Sequence, residues 1–188
     1  MKANTRKITS LAMLAAISIV LVLLIRIPMF LPFLEYDPAD IPIFIAAFAF
    51  GPLAGFLLTV VVSVLQGLTV SAAAGPIGIV MHIFATGLFV LVAGNLYKHN
   101  KTKKGALLAL ICGVLIMTAA MVVWNIILTP LYMSMPVEQI LSMLLPAIVP
   151  FNLIKGGINA AITFLLYKSI GNLMKGNKKT LTKPTKNV

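Results

Sequence analysis

Residues 146–170 read PAIVPFNLIKGGINAAITFLLYKSI, and their reading decides the fold. From 146 to 167 the run is uncharged apart from Lys155. At about 1.5 Å per residue it is long enough to cross a hydrocarbon layer of about 30 Å. A centrally placed lysine costs about 2.5 to 3.5 kcal/mol of insertion energy even on mild scales, so something in the protein or bound to it is expected to offset the cost.

The rest of the chain places this segment in a bilayer. Of 188 residues, 60% are hydrophobic and only 10% are charged, too few charges to cover a soluble domain. The expectation is a polytopic membrane protein in the cell membrane. The lone cysteine, Cys112, sits in an apolar run and reads as a small packed residue, which excludes a disulfide framework and a cysteine-based metal cluster. The net charge of +11 would suggest nucleic acid in a soluble protein, but its distribution argues for topology. Thirteen of the fifteen Lys and Arg residues fall near residues 2–7, 98–104 and 168–186, whereas all four acids, Glu35, Asp37, Asp40 and Glu138, lie between these clusters. By the positive-inside rule the three clusters are cytoplasmic, and no basic face with interleaved aromatics remains for nucleic acid.

With the amino terminus and the 98–104 loop on one side, an even number of crossings separates them. Proline and glycine punctuation gives four: 8–27, a short helix at 41–50, 53–68, and a fourth running to about residue 97. A long external loop carrying PMFLPFLEYDPAD joins the first two. The ten-residue second helix is too short to cross the bilayer and must be shielded by protein. Spans at 106–128 and 147–170 follow, joined by an external connection with a short amphipathic turn. The expected fold is therefore an all-α integral membrane protein of six transmembrane helices with both termini cytoplasmic. Residues 1–175 form one membrane domain, and 176–188 a basic disordered tail.

No catalytic constellation emerges. H-E-x-x-H and G-x-S-x-G are absent, and the histidines lie in a span (His82) and a basic loop (His99). GNLMKGNKKT at 171–180 superficially resembles a phosphate loop, but Asn177 stands where that loop requires lysine. The chain reads as no enzyme, with no metal and no cofactor, and any use of ATP must come from a partner.

The polar residues of the spans are more informative. Asn152, Lys155 and Asn159 are spaced three and four apart and share one helix face. Asn125 on the fifth span lies at a similar depth, so both helices can present polar groups to one outward-opening cavity. Such groups serve either as a ligand site or as interhelical glue. Glue suits Asn159, but Lys155 has only the external acids Glu35, Asp37 and Asp40 within reach. The loop before the second helix reads as a lid in which Phe30, Phe33 and Tyr36 cover an aromatic ligand and Asp37 and Asp40 accept hydrogen bonds. For the two phenylalanines an interfacial aromatic belt is an equal alternative. Gln66, near the outer end of the third span, is a further ligand candidate. On the first span Ala12 and Ala16 make a small-xxx-small surface for close helix approach, either inside the protein or to a partner.

EYDPADIP, GPLAGFLL, VVWN and PFNLIKGGIN, on a compact six-span chain with a basic cytosolic face, resemble the substrate-binding S component of energy-coupling-factor vitamin transporters, in particular its riboflavin-specific branch. The resemblance implies capture of riboflavin, bound as transported substrate, at Tyr36, Asp37, Asp40, Gln66, Asn125, Asn152 and Lys155. It also implies association with a transmembrane coupling subunit and two ATPase subunits, with Ala12 and Ala16 matching the family's A-x-x-x-A contact surface. The alternative is a self-sufficient ion-coupled carrier for a flat vitamin-like solute, with Lys155 relaying against Asp37 or Asp40.

Overall fold

The computed structural model describes residues 2–72 and 75–175; the tail expected at 176–188 lies outside the described residues. The chain runs α1 (Lys2–Leu24), a hairpin of β1 (Ile27–Met29) and β2 (Leu31–Tyr36), α2 (Asp40–Phe50), α3 (Pro52–Leu68), α4 (Gly75–His99), α5 (Lys103–Met133), α6 (Val137–Met143) and α7 (Val149–Lys175). The stretch between α1 and α2, expected as a loop, forms an antiparallel hairpin in which Ile27 faces Tyr36 and Pro28 faces Glu35. Phe30 turns it with a left-handed φ of 62°, and an ion pair from Arg26 to Glu35 ties its base.

Four segments are long and apolar enough to cross a membrane unaided: Thr5–Leu24, Gly75–His99, Lys103–Leu131 and the joined Val137–Leu173. Helices α2 and α3, of 11 and 17 residues, are shorter. Shielding of the short helix is as expected, because every α2 residue from Asp40 to Ala49 is buried. Leu14 and Ala15 of α1, Leu58 and Val62 of α3, Phe89 and Val90 of α4, and Ala160 and Tyr167 of α7 share one buried cluster with it. Phe44 stacks on Phe89 at a centroid distance of 3.6 Å. Gly51, with φ 96°, turns the chain from α2 into α3, and Pro52 starts α3 in the first turn, where its missing N–H costs nothing. A Cβ on Gly55 would stand 2.6 Å from the Cβ of Ala47, so glycine is what lets α2 and α3 pack this closely.

Two prolines that the expected spans leave in the external connection lie within helical structure. Pro130 lies inside α5, which continues to Met133 and ends at Ser134 in the left-handed region. A proline this near the end removes a single i→i−4 bond from the last turns. Pro146 is absorbed in a π-helical turn, Leu144–Ile148, which joins α6 to α7. At the other end of α5, Thr102 caps the helix by accepting from the Gly105 N–H at 2.9 Å.

Candidate functional site

Below the hairpin the helices enclose a cavity of about 530 Å³, walled by β2, α3, α4, α5, α7 and the first residue of α2. This volume falls within the range of small-molecule sites. Asp37, Asp40, Gln66, Asn125, Asn152 and Lys155 all line it. Tyr36 does not: it is buried with Leu34, Ile140, Ile148 and Phe151 in a small cluster between hairpin and helices. Leu34, two residues earlier on β2, belongs to the same cluster and also borders the cavity. Burial and the nearby Asp37 carboxylate push the Tyr36 phenol above its ordinary range, keeping it a hydrogen-bond donor.

Asp37 joins the lid to α7. Its carboxylate accepts from Lys155 Nζ at 2.7 Å and from the Ala39 N–H at 3.0 Å, while its backbone carbonyl accepts from Asn159 Nδ2 at 3.1 Å. Asn159 in turn accepts from the Tyr36 hydroxyl at 3.2 Å. Lys155 thus finds its counter-ion in an acid outside the long spans, as its isolation in sequence required. Asn152 and Lys155 face the cavity, whereas Asn159, a turn further along, is engaged in holding the hairpin and acts as interhelical glue.

A second polar cluster lines the cavity from α2, α3 and α4. Asp40, only 1% exposed, accepts from Thr86 Oγ1 at 3.1 Å and meets His82 Nε2 at 2.9 Å, and His82 Nδ1 lies 2.9 Å from Ser63 Oγ. The Ser63 hydroxyl also bonds the Thr59 carbonyl at 2.7 Å. Ser63, His82 and Thr86 were not singled out as ligand candidates from sequence. The signal was present: a histidine within an apolar span raises the same question as Lys155, and Asp40 opens the one short helix.

The remaining candidates differ in how they are held. Asn125 donates to the Met121 carbonyl at 2.7 Å and accepts from Thr129 at 3.0 Å. Asn152 donates to the Ile148 carbonyl at 2.8 Å. Gln66 is buried on the cavity wall and its Nε2 has no protein partner among the described residues. Of the lid aromatics only Phe33 lines the cavity; Phe30 is 53% exposed at the hairpin turn. The apolar walls expected from aromatics come instead largely from Met81, Met117, Met121 and Met133, with Phe151. Thioethers are adaptable and make favourable contacts with aromatic rings. Ala12 and Ala16 are exposed on the outside of α1, remote from the cavity wall, which leaves their surface open to another helix.

A cavity of ligand size lined by polar side chains and set among apolar helices defines a solute-binding membrane protein. Residues 6–167 match the family model for the ECF transporter substrate-specific component, and the chain belongs to that family. It is 32% identical over 182 residues to the riboflavin transporter RibU of Staphylococcus aureus (strain TCH60), covering 93% of this chain and 95% of the relative. It is 30% identical over 173 residues to the riboflavin transporter FmnP of Bacillus subtilis (strain 168), covering 87% and 91% respectively. The solved structure described as "Structure and mechanism of the S component of a bacterial ECF transporter" superposes with a TM-score of 0.76 at 31% identity, covering 92% of this chain and 99% of that one. The protein is a multi-pass membrane protein of a transporter family, and its relatives are transporters rather than enzymes.

Proposed function

We propose that this chain captures riboflavin from outside the cell in the cavity beneath the hairpin and releases it inward when a coupling subunit and two ATPase subunits act on it. The chain crosses the bilayer six times, α2 and α3 completing the set with protein shielding, and both termini are cytoplasmic, where the basic clusters belong. The observation that carries the reading is the cavity wall itself. Asn152, Lys155 and Asp37 stand on one side, Gln66 with an unpartnered buried donor on another, and methionines between them.

Riboflavin has a flat ring system with a uracil-like edge and a chain of hydroxyls, so it needs apolar walls and several neutral donors and acceptors. The Gln66 Nε2 donor lacks an acceptor that a ligand oxygen would supply, and a buried unsatisfied donor costs about 1 to 3 kcal/mol. Asn125 and Asn152 add amide groups from α5 and α7 to the cavity lining. The two named relatives are riboflavin transporters, which supports the same solute here.

Titration of the purified protein with riboflavin, followed by quenching of flavin fluorescence, tests the reading directly. One-to-one binding is expected, with visible flavin absorption in protein purified from cells. Absence of binding would remove riboflavin as the substrate. Reconstitution alone in liposomes under a pH gradient is expected to give binding without accumulation; accumulation would instead establish a self-sufficient carrier.

A further inference from the structure

Away from the ligand cavity, α5 and α7 form a second concavity, a groove of about 420 Å³. Leu107, Ile111 and Leu115 form one wall, and Gly157, Ala161 and Phe164 the other; every residue along it is apolar. It faces outward, since Leu115 is 57% exposed and a Cβ placed on Gly157 would meet nothing within 4 Å. The helices run antiparallel: Gly156 faces Val114 and Met117, while the ligand cavity brings the later Asn125 and Thr129 to the earlier Asn152. Each wall is therefore ~12 Å long, less than half the hydrocarbon thickness, and the groove lies within one leaflet.

One turn beyond the same end of both walls the apolar pattern gives way to lysine. At ~100° per residue, Lys104 falls within the arc of α5 that carries Leu107, Ile111 and Leu115, Lys103 falls ~40° to one side of it, and Lys168 falls near the centre of the α7 arc that carries Ala161 and Phe164. None of the four acids of the chain lies here: Glu35, Asp37 and Asp40 belong to the hairpin and the start of α2, and Glu138 to α6. Three ammonium groups thus stand at the mouth of an apolar groove with no carboxylate beside them.

We propose that this groove binds an anionic glycerophospholipid, with one acyl chain along Leu107, Ile111, Gly157 and Ala161 and the phosphate held by Lys103, Lys104 and Lys168. Charge complementarity selects the headgroup, and basic residues between transmembrane helices at this membrane level are suited to it. The shape suits the chain: the groove is apolar throughout and open above Gly157, so an extended acyl chain can lie along it. The site is distinct from the ligand cavity and does not rest on the identity of the transported solute.

Native mass spectrometry of the full-length protein, titrated with dioleoylphosphatidylglycerol or dioleoylphosphatidylcholine, tests this. The wild type is expected to retain one phosphatidylglycerol in preference to phosphatidylcholine. Lys103→Gln, Lys104→Gln and Lys168→Gln together are expected to cut that preference by at least about fivefold. Gly157→Leu with Ala161→Leu, which fills the groove but leaves the lysines, is expected to weaken retention of both lipids. Circular dichroism confirms that each variant is helical; because glutamine for exposed lysine does not disturb packing, the lysine variant decides the matter even where the groove-filled one fails to fold. Equal retention of the two lipids by the wild type, or an unchanged preference in the lysine variant, would overturn the proposal. So would protection of a Leu115→Cys label by the coupling subunit rather than by lipid, since that assigns the groove to a protein partner.

Discussion

Replacing Lys155 by methionine is expected to destabilise the protein, and replacing Asp37 by leucine in the same chain is expected to restore most of the loss. The ammonium and carboxylate groups are 2.7 Å apart with side chains 17% and 16% exposed, so both are largely withdrawn from water. At an effective permittivity of 20 their attraction is ~6 kcal/mol before desolvation. Removing each ion from water costs several kcal/mol, so the intact pair contributes close to nothing net. The single substitution is different, because it leaves the Asp37 carboxylate in place with the Ala39 N–H as its remaining donor. Breaking a fully buried pair costs about 3 to 5 kcal/mol. Partial access to the cavity lowers this to ~2 to 3 kcal/mol here, which corresponds to a fall in melting temperature of ~5 to 10 °C. Thermal unfolding in detergent at one scan rate, followed through Trp124, the single tryptophan, gives the comparison. A Lys155→Met protein melting within a degree or so of wild type, or a double variant melting as low as the single one, would refute the reasoning. Riboflavin binding, measured alongside, is expected to weaken in both, by about 1 to 3 kcal/mol for loss of a buried hydrogen-bond partner.

Three further outcomes are expected. Ala12→Trp with Ala16→Trp places bulk on the exposed face of α1 and should leave riboflavin binding unchanged while abolishing uptake in cells that express the coupling and ATPase subunits; loss of binding as well would assign these alanines to internal packing. Gly55→Leu drives a side chain into Ala47 and should lower stability by about 1 to 3 kcal/mol, read as a drop in melting temperature, whereas an unchanged melt would mean that α2 and α3 separate easily. A phosphorylated flavin should bind at least about tenfold more weakly than riboflavin in parallel titrations, because among the described residues Arg26, His82 and Lys155 on the cavity wall already face Glu35, Asp40 and Asp37; equal affinity would mean that one of these pairs opens to receive phosphate.

Much of this arrangement was legible from residue types that a bilayer tolerates poorly. Lys155 announced a partner because an ammonium group in an apolar run has few ways to be satisfied, and the scarcity of acids left only three within reach. The limit between the second and third helices followed from Gly51 and Pro52, whose local chemistry fixes a turn whatever surrounds it, whereas the Thr102 cap that starts α5 at Lys103 was not read. The hairpin was not legible: LPFLEY has the alternation of a strand, but Pro32 within it, Pro28 and Pro38 around it and its place between two helices argued for a loop, and pairing with Ile27–Met29 is a tertiary fact. Pro130 and Pro146 misled for the opposite reason, since the cost of a proline depends on how near a helix end or π turn it falls. The Ser63, His82 and Thr86 cluster was only partly legible: a helix serine or threonine is ordinarily explained by bonding to its own backbone, as Ser63 does to Thr59, while His82, an imidazole in an apolar span, was the signal. Only the fold brings Thr86 and His82 to Asp40, more than forty positions earlier in the chain.

The length of α2 has a consequence for how the ligand chamber exists at all. Eleven residues make a rod of ~16 Å, while α4 and α7 beside it, of 25 and 27 residues, are long enough for ~30 Å of hydrocarbon, so about half that depth is left without helix at α2. The hairpin and the cavity occupy that missing length. Asp40, as the first residue of the short rod, becomes a charged floor set well below the membrane surface. The chamber is thus hollowed out by subtraction: where other bundles must splay helices apart to admit a solute, this one omits two turns or more of a central helix and covers the gap with a strand pair.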